Sequence, residues 1–171
     1  MINCSNQLPT CPSHIFLQKN HPKNRGGYMA DMLQKLYKVS FLFVIGGSLY
    51  YTIEFLFRGR SHWTMFCVGG FIFLYAGHEN DKLPSNCPLW KLVLRIWAVT
   101  LIIEFLTGWV VNLRLGWQVW DYSKMPVNLM GQICLPFALL FLPLCTAAVY
   151  LNGYMRHWLF REKKPVWRRF N

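Results

Sequence analysis

Four long apolar runs constrain this chain more than any motif in it. Val39–Phe57 carries one charge, Glu54, and Trp63–Gly77 carries none. Leu92–Leu113 carries Arg95 and Glu104, and Ile133–Tyr154 again carries none. A helix that crosses a bilayer needs about 20 mainly apolar residues. Three runs meet that length, and the second meets it if His78, Glu79 and Asn80 form a wet end. The runs are apolar on every side, so no helical period stands out, which suits lipid-facing helices better than a soluble core. The fold class expected is all-α: a polytopic membrane protein of four transmembrane helices.

Charge placement gives the orientation. The chain has 18 Lys and Arg against 7 Asp and Glu, a net charge of +11. Such an excess is also the footprint of phosphate binding, but the cations are sorted by flank. One set of flanks holds Lys19, Lys23, Arg25, Lys35 and Lys38, then Lys82, Lys91 and Arg95, then Arg156, Arg161, Lys163, Lys164, Arg168 and Arg169. The opposite set holds Arg58, Arg60, Arg114 and Lys124. Cytoplasmic flanks carry the Lys and Arg excess, so both termini are expected in the cytoplasm, with no nucleic-acid partner. Trp63, Trp90, Trp117, Trp120 and Trp158 fall near the expected helix ends, where indole favours the headgroup layer.

Three segments follow. Residues 1–31 are expected to be a disordered extension, or sequence upstream of a start at Met29 or Met32. They have no long apolar core of the secretory type. Cys4, Cys11, His14 and His21 match no usual zinc spacing, so no metal and no cofactor is expected. Residues 32–155 form the transmembrane domain. Residues 156–171 form a basic, aromatic tail suited to an anionic leaflet. Cys67, Cys134 and Cys145 lie in apolar runs as packing residues, and the chain has no CxxC pair.

IEFLFRG at Ile53–Gly59 is echoed by IEFLTGW at Ile103–Trp109, with Glu54 and Glu104 50 residues apart. Two readings are open: a duplicated helical hairpin, as in some transporter repeats, or chance likeness between two Leu- and Phe-rich runs. Either way both carboxylates fall at similar depth, in the outer half of the membrane. Carboxylates placed there usually face the bundle interior, a partner or water. Glu54 has Arg58 one turn on. Glu104 has no such neighbour, so its partner is expected from Arg58, Arg60 or His62. The Gly46–Gly47 and Gly69–Gly70 pairs fit close contact between the first two helices.

The last outer loop, WQVWDYSKMPVNLMG at Trp117–Gly131, carries Trp120, Asp121, Tyr122, Ser123 and Asn128 between backbone breakers. Asp121 is suited to turning the chain by bonding near Ser123. The density of Trp and Tyr suits a loop that packs over the bundle mouth. The site candidates are therefore Glu54, Glu104, Asp121, Arg58, Arg60, His62, Asn112, Trp120, Tyr122 and Asn128. Either ion pairs lock the helices, or these residues line an outward polar cavity for a cation, a proton or a cationic head group.

Trp120–Leu140 (WDYSKMPVNLMGQICLPFALL) resembles the signature of the putative ABC-transporter type IV membrane proteins. Ile103–Asn112 and Phe55–Gly70 are similar to that family's third helix and to its first loop and second helix. The resemblance covers about Met32–Tyr154 and implies a small polytopic protein of the bacterial cytoplasmic membrane. The chain has no GxxxxGK[ST] phosphate loop, so it is not the ATP-hydrolysing part, and a separate ATPase subunit would dock on its short cytoplasmic segments. Four helices are few for a permease, so a homo-oligomer is implied. Three function classes stand: a transport subunit, an intramembrane enzyme on a lipid-linked substrate with a carboxylate and His62 as acid and base, and a structural or assembly protein. No nucleophile–base pair supports the second.

Overall fold

The computed structural model describes residues 25–82 and 88–163. Its elements are α1 (Arg25–Arg58), α2 (Trp63–Lys82), α3 (Leu89–Gly108), a π-helical turn (Trp109–Arg114), β1 (Asn128–Leu129), β2 (Ile133–Cys134) and α4 (Leu135–Phe160). The metal-like quartet of Cys4, Cys11, His14 and His21 and the end of the basic tail lie outside the described residues. So do residues 1–24 of the expected extension; its remaining residues, 25–31, form the first turns of α1.

Three helical stretches are long and apolar enough to cross a membrane: Gly26–Arg58, Leu89–Arg114 and Leu135–Phe160. The mostly helical fold is as expected, but α2 is not among the three. Its last residues, HENDK, are polar and charged, which leaves too short an apolar run. The apolar run of α3 continues without a break into the π turn, and α4 starts with Pro136 in its first turn, where a missing N–H costs nothing.

α2 lies against α1 through four glycines. A Cβ built on Gly46 would stand 2.2 Å from the Phe73 Cβ, and one on Gly69 would stand 2.3 Å from the Tyr50 Cβ. Gly47 and Gly70 meet Phe66 and Phe43 in the same way. As the contact moves up α1 it moves back down α2, so the two helices are antiparallel. In lipid, apolar area gives helices no reason to associate, and close backbone approach through small residues supplies the contact instead. The expected glycine contact is present.

The core proper belongs to the other three helices. Val68, Ile72 and Ala76 of α2 pack with Leu92, Val93 and Ile96 of α3 and with Phe141, Cys145 and Val149 of α4. α4 runs parallel to α2, since Asn152 reaches the Phe73 carbonyl (3.0 Å) and Arg156 the Gly77 carbonyl (3.1 Å) one turn further along both helices. Asn152 is 1% exposed, and its Oδ1 accepts no bond among the described residues. Trp97 of α3 donates to the Ala138 carbonyl of α4 at 2.6 Å.

The ends of the bundle are sorted. At one end the Lys38 ammonium pairs with Glu162, Arg156 pairs with Asp81 (2.7 Å) and with Glu162 (2.6 Å), and Phe160 packs edge-on to Tyr37 and Phe41. This brings the middle of α1, around Tyr37–Phe41, together with the end of α2 and the end of α4. Burial tends to raise the Glu162 carboxyl, but the bonds from Lys38 and Arg156 outweigh it and hold the group below its ordinary range. The opposite end carries Glu54, Arg58, Glu104 and the 117–134 loop.

Candidate functional site

Glu54 and Glu104 come from different helices and are both buried, at 7% and 5% exposure. A bare carboxylate in such a place is costly, so its partners decide whether it is tolerated. Arg58 donates to Glu54 at 2.6 Å, the i+4 pair read from the sequence. Ser61, just past the end of α1, donates to the other Glu54 oxygen at 2.5 Å. Glu104 accepts a hydrogen bond from the Tyr50 hydroxyl of α1. This corrects the expectation that Arg58, Arg60 or His62 would serve it. A phenol four residues before Glu54 lies on the same face of α1, which is the signal that sequence reasoning passed over.

His62 is occupied elsewhere. Its Nδ1 lies 3.0 Å from the Thr64 Oγ1 and accepts the Thr64 N–H at 3.4 Å, at the start of α2. Its ring sits against Trp63 and Trp117, with centroids 5.5 and 5.3 Å away. Arg60 is exposed and lines a separate groove of about 450 Å³ beside Asn112, Asp121 and Gln132.

The loop after the π turn folds back over the Glu54 end. Trp120 and Tyr122 are buried there with Met65, Val111 and Cys134. Trp120 is only 3% exposed, so it is a core residue and not a headgroup anchor, whereas Trp63 and Trp158 are 60% and 79% exposed. A pair of amides fixes this loop. Asn112 donates to the Gln132 Oε1 (2.8 Å) and accepts the Val119 N–H (2.7 Å), and the Trp120 indole donates to the Gln132 carbonyl (2.9 Å). Asn112 lies in the π turn, a local widening that often marks a functional site. Gln132 was not singled out in the sequence, although it lies within the resembling segment.

Asp121 and Asn128 shape the loop tip. Asp121 accepts from the Ser123 N–H (2.8 Å) and hydroxyl (2.9 Å), as expected, and these bonds lower its carboxyl below the ordinary range. Asn128 donates to the Ser123 and Met125 carbonyls and accepts the Gly131 N–H. Val127 and Met130 have φ of 50° and 52°, which non-glycine residues rarely adopt.

The ten candidates thus divide. Glu54, Arg58, Tyr122 and Glu104 gather with Tyr50 at one buried place. Trp120 joins that place on one side and the Asn112–Gln132 pair on the other. Asp121, Asn128, Arg60 and His62 stand outside it. Arg58 is set among rings, its guanidinium carbon 4.9 Å from the Tyr122 centroid, 5.4 Å from Phe137 and 6.0 Å from Trp120. The described residues hold no group of three His, Cys, Asp or Glu side chains placed for a metal ion. Cys67, Cys134 and Cys145 are free thiols.

The family model of the putative ABC-transporter type IV proteins matches residues 41–169. The chain belongs to this family. The match takes in all of the buried cluster, the 117–134 loop and Glu162. With three helices apolar enough to cross a bilayer, this type IV chain is a membrane protein. Comparison with curated proteins and with solved structures returns no match.

Proposed function

We propose that this chain is the membrane-embedded, non-hydrolysing subunit of a transport assembly, with the Glu54–Glu104 end facing outward. The observation that carries the reading is the pair of buried carboxylates, each bonded to a different residue of α1, gathered at one end of a mostly apolar bundle. Ionisable groups inside a membrane usually mark a path for an ion or substrate. Membership of a family named for ABC transporters supports transport, and energy would come from a separate ATPase subunit.

The proposal includes four spans. α2 has the shortest apolar run, but it lies antiparallel along α1, and its 20 residues reach about 30 Å at helical rise, close to the hydrocarbon thickness. Its polar end, Glu79–Lys82, lies with Arg156 and Glu162 at the cation-rich end. The Lys and Arg excess there supports both termini in the cytoplasm of a bacterial cell. The Arg- and Trp-rich tail then rests on anionic lipid, and copies of the chain assemble to complete the pathway.

The test is purification from mild detergent. An ATPase subunit is expected to copurify, and ATP-dependent uptake into proteoliposomes is expected to vanish in Glu104→Gln while the variant stays folded. If Glu54→Gln and Glu104→Gln lower only thermal stability and leave uptake and cellular phenotype intact, the carboxylates are packing groups and the cavity reading is wrong. Orientation has its own check in a cysteine-free background. An impermeant thiol reagent added outside should label Ser123→Cys and spare Lys163→Cys; the reverse pattern overturns the assignment.

A further inference from the structure

Three rings and one carboxylate surround the Arg58 guanidinium. Tyr122, Phe137 and Trp120 present ring centroids within 6.0 Å, and Glu54 accepts its hydrogen bond. Ring faces joined by an anion form a box for a cation, above all for a poorly hydrated one such as a quaternary ammonium. Here the cation inside the box is the protein's own.

The box is open on one side. Tyr50, Ile53, Phe141 and Leu144 line it and also line a second cavity that runs on between α1 and α4. That cavity has a volume of about 160 Å³ and nearly wholly apolar walls. Leu49 on α1 and Leu151 on α4, both part of its lining, are 41% and 40% exposed. It therefore opens sideways, where the bilayer would be, while the ion pairs of Glu162 and the ring contacts of Phe160 close α1 and α4 together further down.

Charge decides which head group fits. Two buried carboxylates, Glu54 and Glu104, stand at this end, and among the described residues Arg58 is the only cation paired with either. An anionic head in Arg58's place would stand beside Glu54 with no cation to pair either, whereas a cationic head takes over the pairing with Glu54. Space alone does not admit it while Arg58 stays, because the free volume in the box is about 30 Å³, roughly one water. Arg58 is the last residue of α1, however. Its side chain is 19% exposed, and Gly59 turns the chain away behind it at φ 70°, so the guanidinium can turn out to the surface without unwinding the helix.

We infer that the box and groove together bind a membrane amphiphile with a quaternary-ammonium head, the alkyl chain lying between α1 and α4 and the head displacing Arg58. The inference deepens the transport reading above and rests on it. Arg58 is then a resident stand-in that keeps Glu54 paired while the site is empty. Entry is lateral, from the outer leaflet.

The experiment is photo-crosslinking of the full chain in nanodiscs with an alkyltrimethylammonium probe that carries a diazirine in its chain. Adducts are expected on α1 near Gly46–Ile53 and on α4 near Phe141–Leu151. Unlabelled alkyltrimethylammonium should compete at a concentration at least about tenfold below that of an alkyl phosphate of equal chain length. Tetramethylammonium should compete far more weakly than either. Glu54→Gln should lose labelling and Arg58→Ala should gain it. Ala148→Trp, which fills the groove and leaves both carboxylates in place, should lose it too and keeps the test open if Glu54→Gln does not fold. Equal competition by both head groups, or labelling unmoved by Glu54→Gln and Arg58→Ala, would show a lipid chain merely filling a surface groove. Preference for the phosphate head, lost in Arg58→Ala, would make this an anion site. Either result overturns the inference and leaves copurification of an ATPase, and with it the transport reading, untouched.

Discussion

The Tyr50 hydroxyl of α1 donates its hydrogen bond to the Glu104 carboxylate of α3, joining two helices that otherwise meet chiefly through α2. Tyr50 also backs against Gly69 and packs its ring on Phe141, 6.4 Å between centroids. One side chain thus touches all four helices, and it does so at a buried carboxylate that has no ion-pair partner among the described residues.

Tyr50→Phe keeps the ring and deletes the donor. A buried acceptor left unsatisfied costs about 1–3 kcal/mol, and more when charged. The variant is expected to lose stability by at least that much in detergent. Glu104→Gln should lose less, because an amide can still accept from Tyr50. The Tyr50→Phe, Glu104→Gln double variant should recover part of the loss, and a thermal-unfolding cycle over the four proteins measures the coupling. Additive losses would mean that the bond does not hold α1 to α3.

The glycine contact makes a contrast within one helix. An alanine at Gly46 or Gly69 places its Cβ within 2.3 Å of a neighbouring Cβ, on backbone that cannot yield without separating α1 from α2. Such overpacking costs about 1–3 kcal/mol, and the two substitutions are expected to lower the unfolding temperature clearly. Gly26, also in α1, has nothing within 4 Å. Gly26→Ala should be neutral or slightly stabilising, since alanine is the better helix former. A uniform response at all three sites would refute the close packing of α1 on α2.

Much of this architecture is legible in the sequence because lipid-facing helices leave a coarse signal. The apolar runs place the four helices, the i+4 spacing finds Glu54–Arg58, and the paired glycines find the α1–α2 contact. Asp121 turning onto Ser123 follows from side-chain chemistry alone. What stays hidden depends on contacts far apart in the chain. Tyr50 finds Glu104 54 residues away. Trp120 reads as a headgroup anchor until the Asn112–Gln132 pair folds the loop inward and buries it. The two-residue strands β1 and β2 are too short for any period to show.

Glu162 gives a pH dependence with a definite sign. Its carboxyl is held below its ordinary value of 4.5, burial being outweighed by the Lys38 and Arg156 bonds. A depressed folded-state value means stability that is present above the unfolded value and lost as pH falls through the folded one. The clamp between α1 and α4 should therefore be intact at neutral pH and weaken below about 4.5. Glu162→Gln should lower the unfolding temperature at pH 7, and the gap to the parent protein should close as pH drops into that window. A gap that stays constant with pH would show that the carboxylate charge is not what joins the two helices.

Val127 supplies the last test. It is β-branched, exposed, and held at φ 50° immediately before β1, where its carbonyl accepts the Leu135 N–H. For a side chain branched at Cβ the left-handed region is costly, about 1–2 kcal/mol, whereas Asn and Gly enter it readily. Nothing in the burial of Val127 repays that cost within the protein, since 75% of its surface is free. Val127→Asn is expected to raise stability by up to about 1 kcal/mol while the loop keeps its shape, read as unchanged labelling of Ser123→Cys. Should stability fall, the strained turn is not the conformation this loop holds.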